Sequence, residues 1–133
     1  MVASHAMSEP SRNYEEIGEW SHEAVERALR DDDTEALLRA VIGVSMHDAD
    51  GRYAQDLCVR LSSHPHFNVR GNAVLGFGHI ARVHRQLDRA LVQPIIQAAL
   101  RDESDYIRGQ AVSAMDDTAF FLEWHYDKTD VTG

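Results

Sequence analysis

An internal repeat is the feature of this sequence that most constrains its fold. The stretch 53–74 aligns without a gap on the stretch 91–112, at an offset of 38 residues, so that Val69-Arg70-Gly71 falls on Ile107-Arg108-Gly109. A weaker copy, Leu38-Arg39-Ala40, lies upstream. A unit of about 40 residues made of two helices is typical of proteins whose units stack on their neighbours. The sequence therefore predicts a stack of helix pairs.

Helical periodicity supports the same architecture. Apolar residues recur at the spacing of one helical face in six segments, and strand-like alternation is absent from the sequence. The predicted helices are Tyr14–Arg30, Thr34–His47, Arg52–Ser62, Phe67–Val83, Asp88–Arg101 and Asp105–Trp124, with a break expected near Asp116-Asp117. The predicted apolar stripe of the fifth helix is Leu87, Leu91, Ile95, Ala98 and Ala99.

Short polar residues and glycines refine this prediction. Helix N-caps are expected at Asp33, Asp50 and Ser104, because short polar side chains accept hydrogen bonds from the first free N–H groups of a helix. The fourth helix contains Gly71, Gly76 and Gly78, each of which costs about 1 kcal/mol relative to alanine. We expect neighbouring helices to approach closely at these glycines.

The segment 67–78, Phe-Asn-Val-Arg-Gly-Asn-Ala-Val-Leu-Gly-Phe-Gly, resembles the HEAT-like repeat consensus, in which Val-Arg is followed by Ala and then Leu-Gly. The resemblance spans about residues 28–118. It implies an all-α fold, a short HEAT-like α-solenoid of about three antiparallel helix pairs with six or seven helices. The chain departs from the pattern at His64-Pro65-His66, which replaces an acidic turn, and at Met115-Asp116, which replaces a glycine pair.

The arginine that recurs in HEAT-like repeats usually ties one turn to the next. The resemblance therefore implies a structural role for Arg39, Arg70 and Arg108, and Asp102 is their natural partner by sequence position.

The remaining organisation follows from short segments and from one cysteine. Residues 8–126 are expected to form one domain, with residues 1–7 interpreted as a cloning remnant with a disordered start and residues 127–133 as a frayed tail. Cys58 is the single cysteine, which excludes an intrachain disulfide and favours a reducing, cytoplasmic compartment. The sequence lacks the run of about 20 apolar residues that a membrane helix needs.

The charge distribution narrows the class of partner. The net charge of −9 argues against a nucleic-acid binder, which needs a positive footprint. Between Leu61 and Arg101, however, Asp88 is the one acid against five arginines, so a basic middle lies between acidic ends. Such a pattern steers partners.

The sequence patterns that could indicate a catalytic or metal-binding site are weak. No two histidines have the i, i+4 spacing that places two metal ligands on one helical face. Asp48-Ala49-Asp50-Gly51 resembles the start of a calcium loop, but the twelfth position, which needs a glutamate, is Val59. The pairs His47-Asp48 and Asp116-Asp117 carry little information, and Cys58 is expected to be a buried small hydrophobe. We assign no catalytic residue, no metal and no cofactor.

Three functions stay open. The favoured one is a non-enzymatic module that binds a protein partner of basic charge, as the immunity proteins that neutralise basic nuclease toxins do. Its expected contacts are an acidic stripe along the first helix and polar residues of later helices: Glu16, Glu19, Glu23, Glu26, Arg52, Gln55, Asp56, Arg60, Arg89, Gln93 and Gln97. The alternatives are a HEAT-like enzyme or enzyme subunit, acting as a lyase or on nucleic acid, and a self-associating scaffold whose aromatic tail covers a second copy.

Overall fold

The computed structural model describes residues 17–132, which form seven α-helices without any strand. The helices are α1 (His22–Asp31), α2 (Thr34–His47), α3 (Gly51–Leu61), α4 (Phe67–His84), α5 (Arg89–Ala99), α6 (Asp105–Leu122) and α7 (Lys128–Thr132). The prediction of an all-α fold is confirmed. Within this described range, none of the helices combines the length and apolarity needed to cross a membrane.

The three long helices pack side by side in chain order, with α4 between α2 and α6. The shorter helix α3 lies against α2 and α4, α5 lies against α4 and α6, and α1 lies against α2. The largest fully buried side chains come from α2, α4, α5 and α6: Phe77, Leu37, Ile80, Ile96 and Ile107. The core therefore runs continuously along the row of long helices.

The glycines of α4 lie where other helices come close, as predicted. A Cβ on Gly71 would be 2.6 Å from the ring of Tyr106, and one on Gly78 would be 2.6 Å from a carboxylate oxygen of Asp117. Gly76 meets α3 and α2 at a similarly short distance. The absence of side chains at these positions lets α2, α3 and α6 pack directly on the backbone of α4.

The N-caps predicted at Asp33, Asp50 and Ser104 are confirmed, because each side chain accepts a hydrogen bond from a backbone N–H in the first turn of its helix. The start of the first helix was predicted wrongly. Within the described residues α1 begins at His22 behind a Ser21 cap, and residues 17–21 are not helical.

The reason for the late start is a close packing contact with α2. A Cβ on Gly43 would lie 2.6 Å from the carbonyl oxygen of Gly18 and 2.8 Å from the Trp20 ring. Ile17 is buried beside this contact. The segment before α1 thus packs as extended chain over α2, while residues 14–16 lie outside the described residues.

The fifth helix shows a second error, in its buried face. Leu91 is 42% exposed and Ala98 is exposed, whereas Val92 and Ile96 are fully buried. Adjacent apolar residues in this segment fit two neighbouring stripes equally well, and packing against α4 and α6 selects the stripe of Val92, Ile96 and Ala99.

The C-terminal region also differs from expectation. α6 continues through Asp116-Asp117 without a break and ends at Leu122. The segment 127–133, expected to fray, contains α7, and Asp130 within it is buried. The carboxylate of Asp130 accepts hydrogen bonds from Gln97 at 3.0 Å and from Arg101 at 3.3 Å, which holds this segment against α5.

Candidate functional site

The recurrent arginines close the turns that precede their own helices. Arg70 donates to the carbonyl oxygens of His64 at 3.1 Å and Pro65 at 3.2 Å. Arg108 makes the equivalent bonds to the carbonyl oxygens of Asp102 at 2.6 Å and Glu103 at 3.1 Å. Asp102 therefore receives Arg108 through its backbone.

Arg39 does not share this geometry. It is exposed on α2, and no equivalent bond is recorded for it within residues 17–132. Arg70 and Arg108 each lie four residues after an N-cap, whereas Arg39 lies six residues after Asp33. Two further residues rotate a helical side chain by about 200°, so Arg39 projects away from the preceding turn.

The turn before α4 uses two imidazoles where the turn before α6 uses Asp102 and Ser104. The Nδ1 of His64 accepts from the His66 N–H at 3.0 Å, and the Nδ1 of His66 caps α4 by accepting from the Asn68 N–H at 3.2 Å. Since its Nδ1 is an acceptor, His64 carries its proton on Nε2 and donates it to Asp32 at 2.9 Å. These histidines therefore organise turns.

Gln55 and Gln93 were predicted to contact a partner, and the structure places both in the interior. They are 4% and 9% exposed. The Oε1 of Gln55 accepts from the Asp88 N–H at 2.8 Å, and the Nε2 of Gln93 donates to the His125 carbonyl at 2.7 Å. Each glutamine fixes the linker that follows the next long helix, so we reassign both from partner contact to structure.

The other predicted contacts on α5 also hold the C-terminal segment. Arg89 donates to the Oε1 of Gln93 at 2.7 Å and lies 5.9 Å from the Trp124 ring centroid, while Gln97 donates to Asp130. On α3, Arg52 and Asp56 are exposed and form an ion pair with each other at 3.3 Å. Of the predicted contacts on α3 and α5, Arg52, Asp56, Arg60 and Arg89 are exposed.

The predicted acidic stripe is present only in part. Glu16 lies outside the described residues, and Glu19 is exposed but precedes α1, so it does not continue a helical stripe. Glu23 and Glu26 are exposed on α1, and Glu26 accepts a hydrogen bond from the Tyr53 hydroxyl at 2.9 Å.

A broader acidic surface replaces the stripe. α1, the residues before it, the turn after it and the first turn of α2 together expose seven carboxylates against two arginines. We call this surface the acidic end; its carboxylates belong to Glu19, Glu23, Glu26, Asp31, Asp32, Asp33 and Glu35.

Sequence reasoning missed a polar network between α1, α2 and α3. The buried carboxylate of Asp48 lies 2.8 Å from the Nε2 of His22 and also accepts the Asp50 N–H at 2.8 Å. The ring of His22 stacks on Tyr53 with centroids 3.6 Å apart. Burial and the Glu26 carboxylate raise the pKa of Tyr53. Asp48 thus pairs with His22 across the fold and not with its chain neighbour His47.

Burial also shifts the pKa values of titratable groups elsewhere in the structure. Burial raises the pKa of the Cys58 thiol, which is fully enclosed, so this cysteine is not poised as a thiolate nucleophile. Burial lowers the pKa of His79 to about 4, with Arg82 and His47 adding to the shift, and burial raises the pKa of Asp117. In the part of the chain that the structure describes, no three His, Cys, Asp or Glu side chains are grouped to hold a metal.

Comparison with known proteins adds no relative: no protein-family model, curated protein or solved structure matches this chain. Its interpretation therefore rests on its own residues and their contacts.

Proposed function

We propose that this chain is a non-enzymatic protein-binding module of HEAT-like type, a short α-solenoid of about three helix pairs that binds a basic protein. The support for the HEAT-like unit is the pair of matching hydrogen bonds that Arg70 and Arg108 make at an offset of 38 residues. The buried glutamines Gln55 and Gln93, at the same offset, each bond the backbone of a following linker, Gln55 as acceptor and Gln93 as donor. Because these recurring polar residues stabilise the fold, we expect the partner to bind surfaces that differ between the units.

The observation that carries a basic partner is the acidic end. All of its carboxylates belong to exposed residues. The carboxylate of Asp32 contacts the rest of the fold through one hydrogen bond, from the Nε2 of His64. A dense set of exposed charges of one sign speeds and selects encounters with a partner of the opposite sign. An immunity-type protein, which neutralises a basic toxin by covering it, is the specific form that this charge favours.

Catalysis finds less support than binding. The His22–Asp48 pair spans three helices and stacks on Tyr53, which suits a role in joining α1, α2 and α3. Cys58 is enclosed, and His64 and His66 have their Nδ1 atoms occupied by backbone N–H groups. The candidate nucleophile and bases are thus engaged in packing and capping.

The test is affinity capture from the native host's lysate at about 50 mM and at about 500 mM salt, with identification of the retained proteins. We expect one basic protein retained at low salt and weakened at high salt, because the Debye screening length falls from roughly 14 Å to roughly 4 Å over this range. The purified pair is then measured by calorimetry.

A charge-reversed pair locates the contact. Glu19→Lys with Glu35→Lys is expected to weaken the purified complex by about tenfold or more, since rim charges govern encounter. The matched control, Glu103→Lys with Glu123→Lys, changes the net charge equally on exposed residues elsewhere and should weaken it far less. Equal losses in both variants, or retention of no basic protein, would contradict the proposed function.

A further inference from the structure

One face of α4 and the equivalent face of α6, at an offset of 38 residues, differ sharply in burial. Four residues on one face of α4 are all buried, and two of them, Gly71 and Gly78, lie against α6, whereas the residues of α6 at the 38-residue offset are all exposed. The buried set is Gly71, Val74, Gly78 and Ala81; we call the exposed set the open face, and it consists of Gly109, Val112, Asp116 and Ala119.

The packing of α6 on α4 shows what such a face accepts. The Tyr106 ring covers Gly71, and its hydroxyl accepts from Asn72 and donates to Asn68, each at 2.8 Å. Further along, Asp117 covers Gly78. The contacts advance in the same direction on both helices, so α6 runs parallel to α4 and anchors itself with an aromatic ring on a glycine.

The open face offers the same features without an occupant from residues 17–132. A Cβ added to Gly109 would meet nothing within 4 Å. Val112 is 44% exposed, and Phe120, one turn beyond Asp116, is 77% exposed. The chain after α6 turns the other way, since Trp124 lies under Arg89 and Asp130 is bound to α5. An exposed aliphatic and aromatic stripe beside an open glycine is a surface that packs against another helix.

The negative charge of Asp116 favours a basic helix as the occupant of the open face. Asp116 stands where α4 has Gly78, so a helix placed like α6 would bring the residue equivalent to Asp117 against the carboxylate of Asp116. An acid there would be repelled, whereas a lysine or arginine would form an ion pair. A second copy of this chain that presented its acidic end or its own open face would bring further carboxylates to Asp116, so neither of these arrangements is favoured.

We propose that the open face of α6 binds a helix of a basic protein partner, running parallel to α6 as α6 runs along α4. An aromatic residue of that helix lies over Gly109, and a lysine or arginine faces Asp116. This inference rests on the proposed function, because it takes the same class of partner, a basic protein, and adds a second contact surface on α6 to the acidic end at α1.

The probe is a peptide of residues 104–122 of this chain, which corresponds to α6, the helix that packs on α4. It carries the substitutions Asp105→Lys, Asp116→Lys and Asp117→Lys. Its control keeps the aspartate at position 117. Fluorescence anisotropy with the full-length protein should show binding of the probe and at least tenfold weaker binding of the control. Failure of the probe to bind would overturn the proposal.

Substitutions in the protein locate the peptide. Val112→Asp and Asp116→Lys should each weaken the probe at least tenfold, because they place a charge against apolar surface or repel the lysine. Leu91→Asp is the matched control, since Leu91 is 42% exposed on α5, and it should leave binding unchanged. Circular dichroism checks that each variant folds. Equal binding to all variants would place the peptide elsewhere and refute the open face as its site.

Two outcomes separate this inference from the proposed function. A mass that rises with concentration for the protein alone, and is restored to the monomer by Val112→Asp, would make a second copy the occupant and overturn the inference. If the native basic partner is retained equally by Val112→Asp but lost on Glu19→Lys with Glu35→Lys, the proposed function stands and the inference fails.

Discussion

The middle unit, residues 54–85, and the last unit, residues 92–123, share the hydrogen bonds of their turn-closing arginines and their left-handed C-caps but not their surroundings. Arg70 and Arg108 close equivalent turns, and Arg85 and Glu123 both cap their helices in the left-handed conformation, at φ 56° and 60°. Yet α4 is packed between two long helices, and α6 has one such neighbour among the described residues 17–132. The same local design therefore gives an enclosed element in one case and a surface in the other, and the predictions below test that contrast.

The largest difference is expected at the equivalent core positions Phe77 and Met115. Phe77 is fully buried and Met115 is 8% exposed. Phe77→Ala should lower the free energy of unfolding by about 3–5 kcal/mol, because it leaves a cavity enclosed on all sides. Met115→Ala should cost about 2 kcal/mol, since the open side of α6 can relax. Urea unfolding measures both, and equal costs would mean that α6 is as enclosed as α4.

The equivalent glycines should respond with opposite signs. Gly71→Ala places a methyl group 2.6 Å from the Tyr106 ring and should cost about 1–3 kcal/mol through overpacking. Gly109→Ala enters open space and should stabilise the helix by about 0.5–1 kcal/mol. Thermal unfolding of the two variants gives the comparison directly. A loss of stability in Gly109→Ala would show that this position is covered.

Acid should affect the two units in opposite directions, through His79 and its equivalent Asp117. Burial lowers the pKa of His79 from 6.5 to about 4, so the unfolded state binds more protons in that window and stability falls as the pH falls through it. Burial raises the pKa of Asp117 above 3.8, so the folded state holds that proton more tightly and stability rises as the pH falls.

Two substitutions separate these effects. His79→Gln should reduce the loss of stability between pH 7 and pH 5 by about 1 kcal/mol. This is less than the conversion of about 1.4 kcal/mol per pKa unit would give, because solvent screens the partly exposed ring. Asp117→Asn should raise stability at pH 7. Urea unfolding at both pH values is the measurement, and an unchanged pH slope in His79→Gln would exclude this histidine as the source.

The smallest effects are expected at the two C-caps. Glu123→Gly should stabilise the protein by about 0.5–1 kcal/mol, because glycine adopts positive φ without a steric cost. Arg85→Gly should gain less, since Arg85 also lies 4.9 Å from the Phe121 ring centroid and donates to the Arg82 carbonyl. Differential scanning calorimetry resolves the two changes, and a larger gain from Arg85→Gly would show that these contacts contribute nothing.

The fold was largely readable from local signals. Polar caps such as Asp33 and Ser104 and the glycines of α4 act over a few residues, and the sequence shows them directly. The burial of Val92 and Ile96 could also have been found, because at the 38-residue offset they correspond to Ala54 and Cys58, which are buried too. Periodicity within one helix was too ambiguous to choose between adjacent stripes.

Contacts between segments that are distant in the sequence could not be predicted from local sequence patterns. The packing of residues 17–20 over Gly43 and the pairing of His22 with Asp48 depend on how helices are arranged in space. The open face was hidden for a related reason. Val74 and Val112 occupy matching positions in the repeat, and their different exposure depends on where the row of helices ends.

The turn-closing arginines have a consequence for how the chain folds. Arg70 reaches carbonyls only five and six residues before it, and Arg108 does the same. Each turn is thus completed by contacts of short sequence separation, which form early because little chain entropy is lost in closing them. We therefore expect that folding can begin in either unit and spread to its neighbour, as it does in stacked helical repeats.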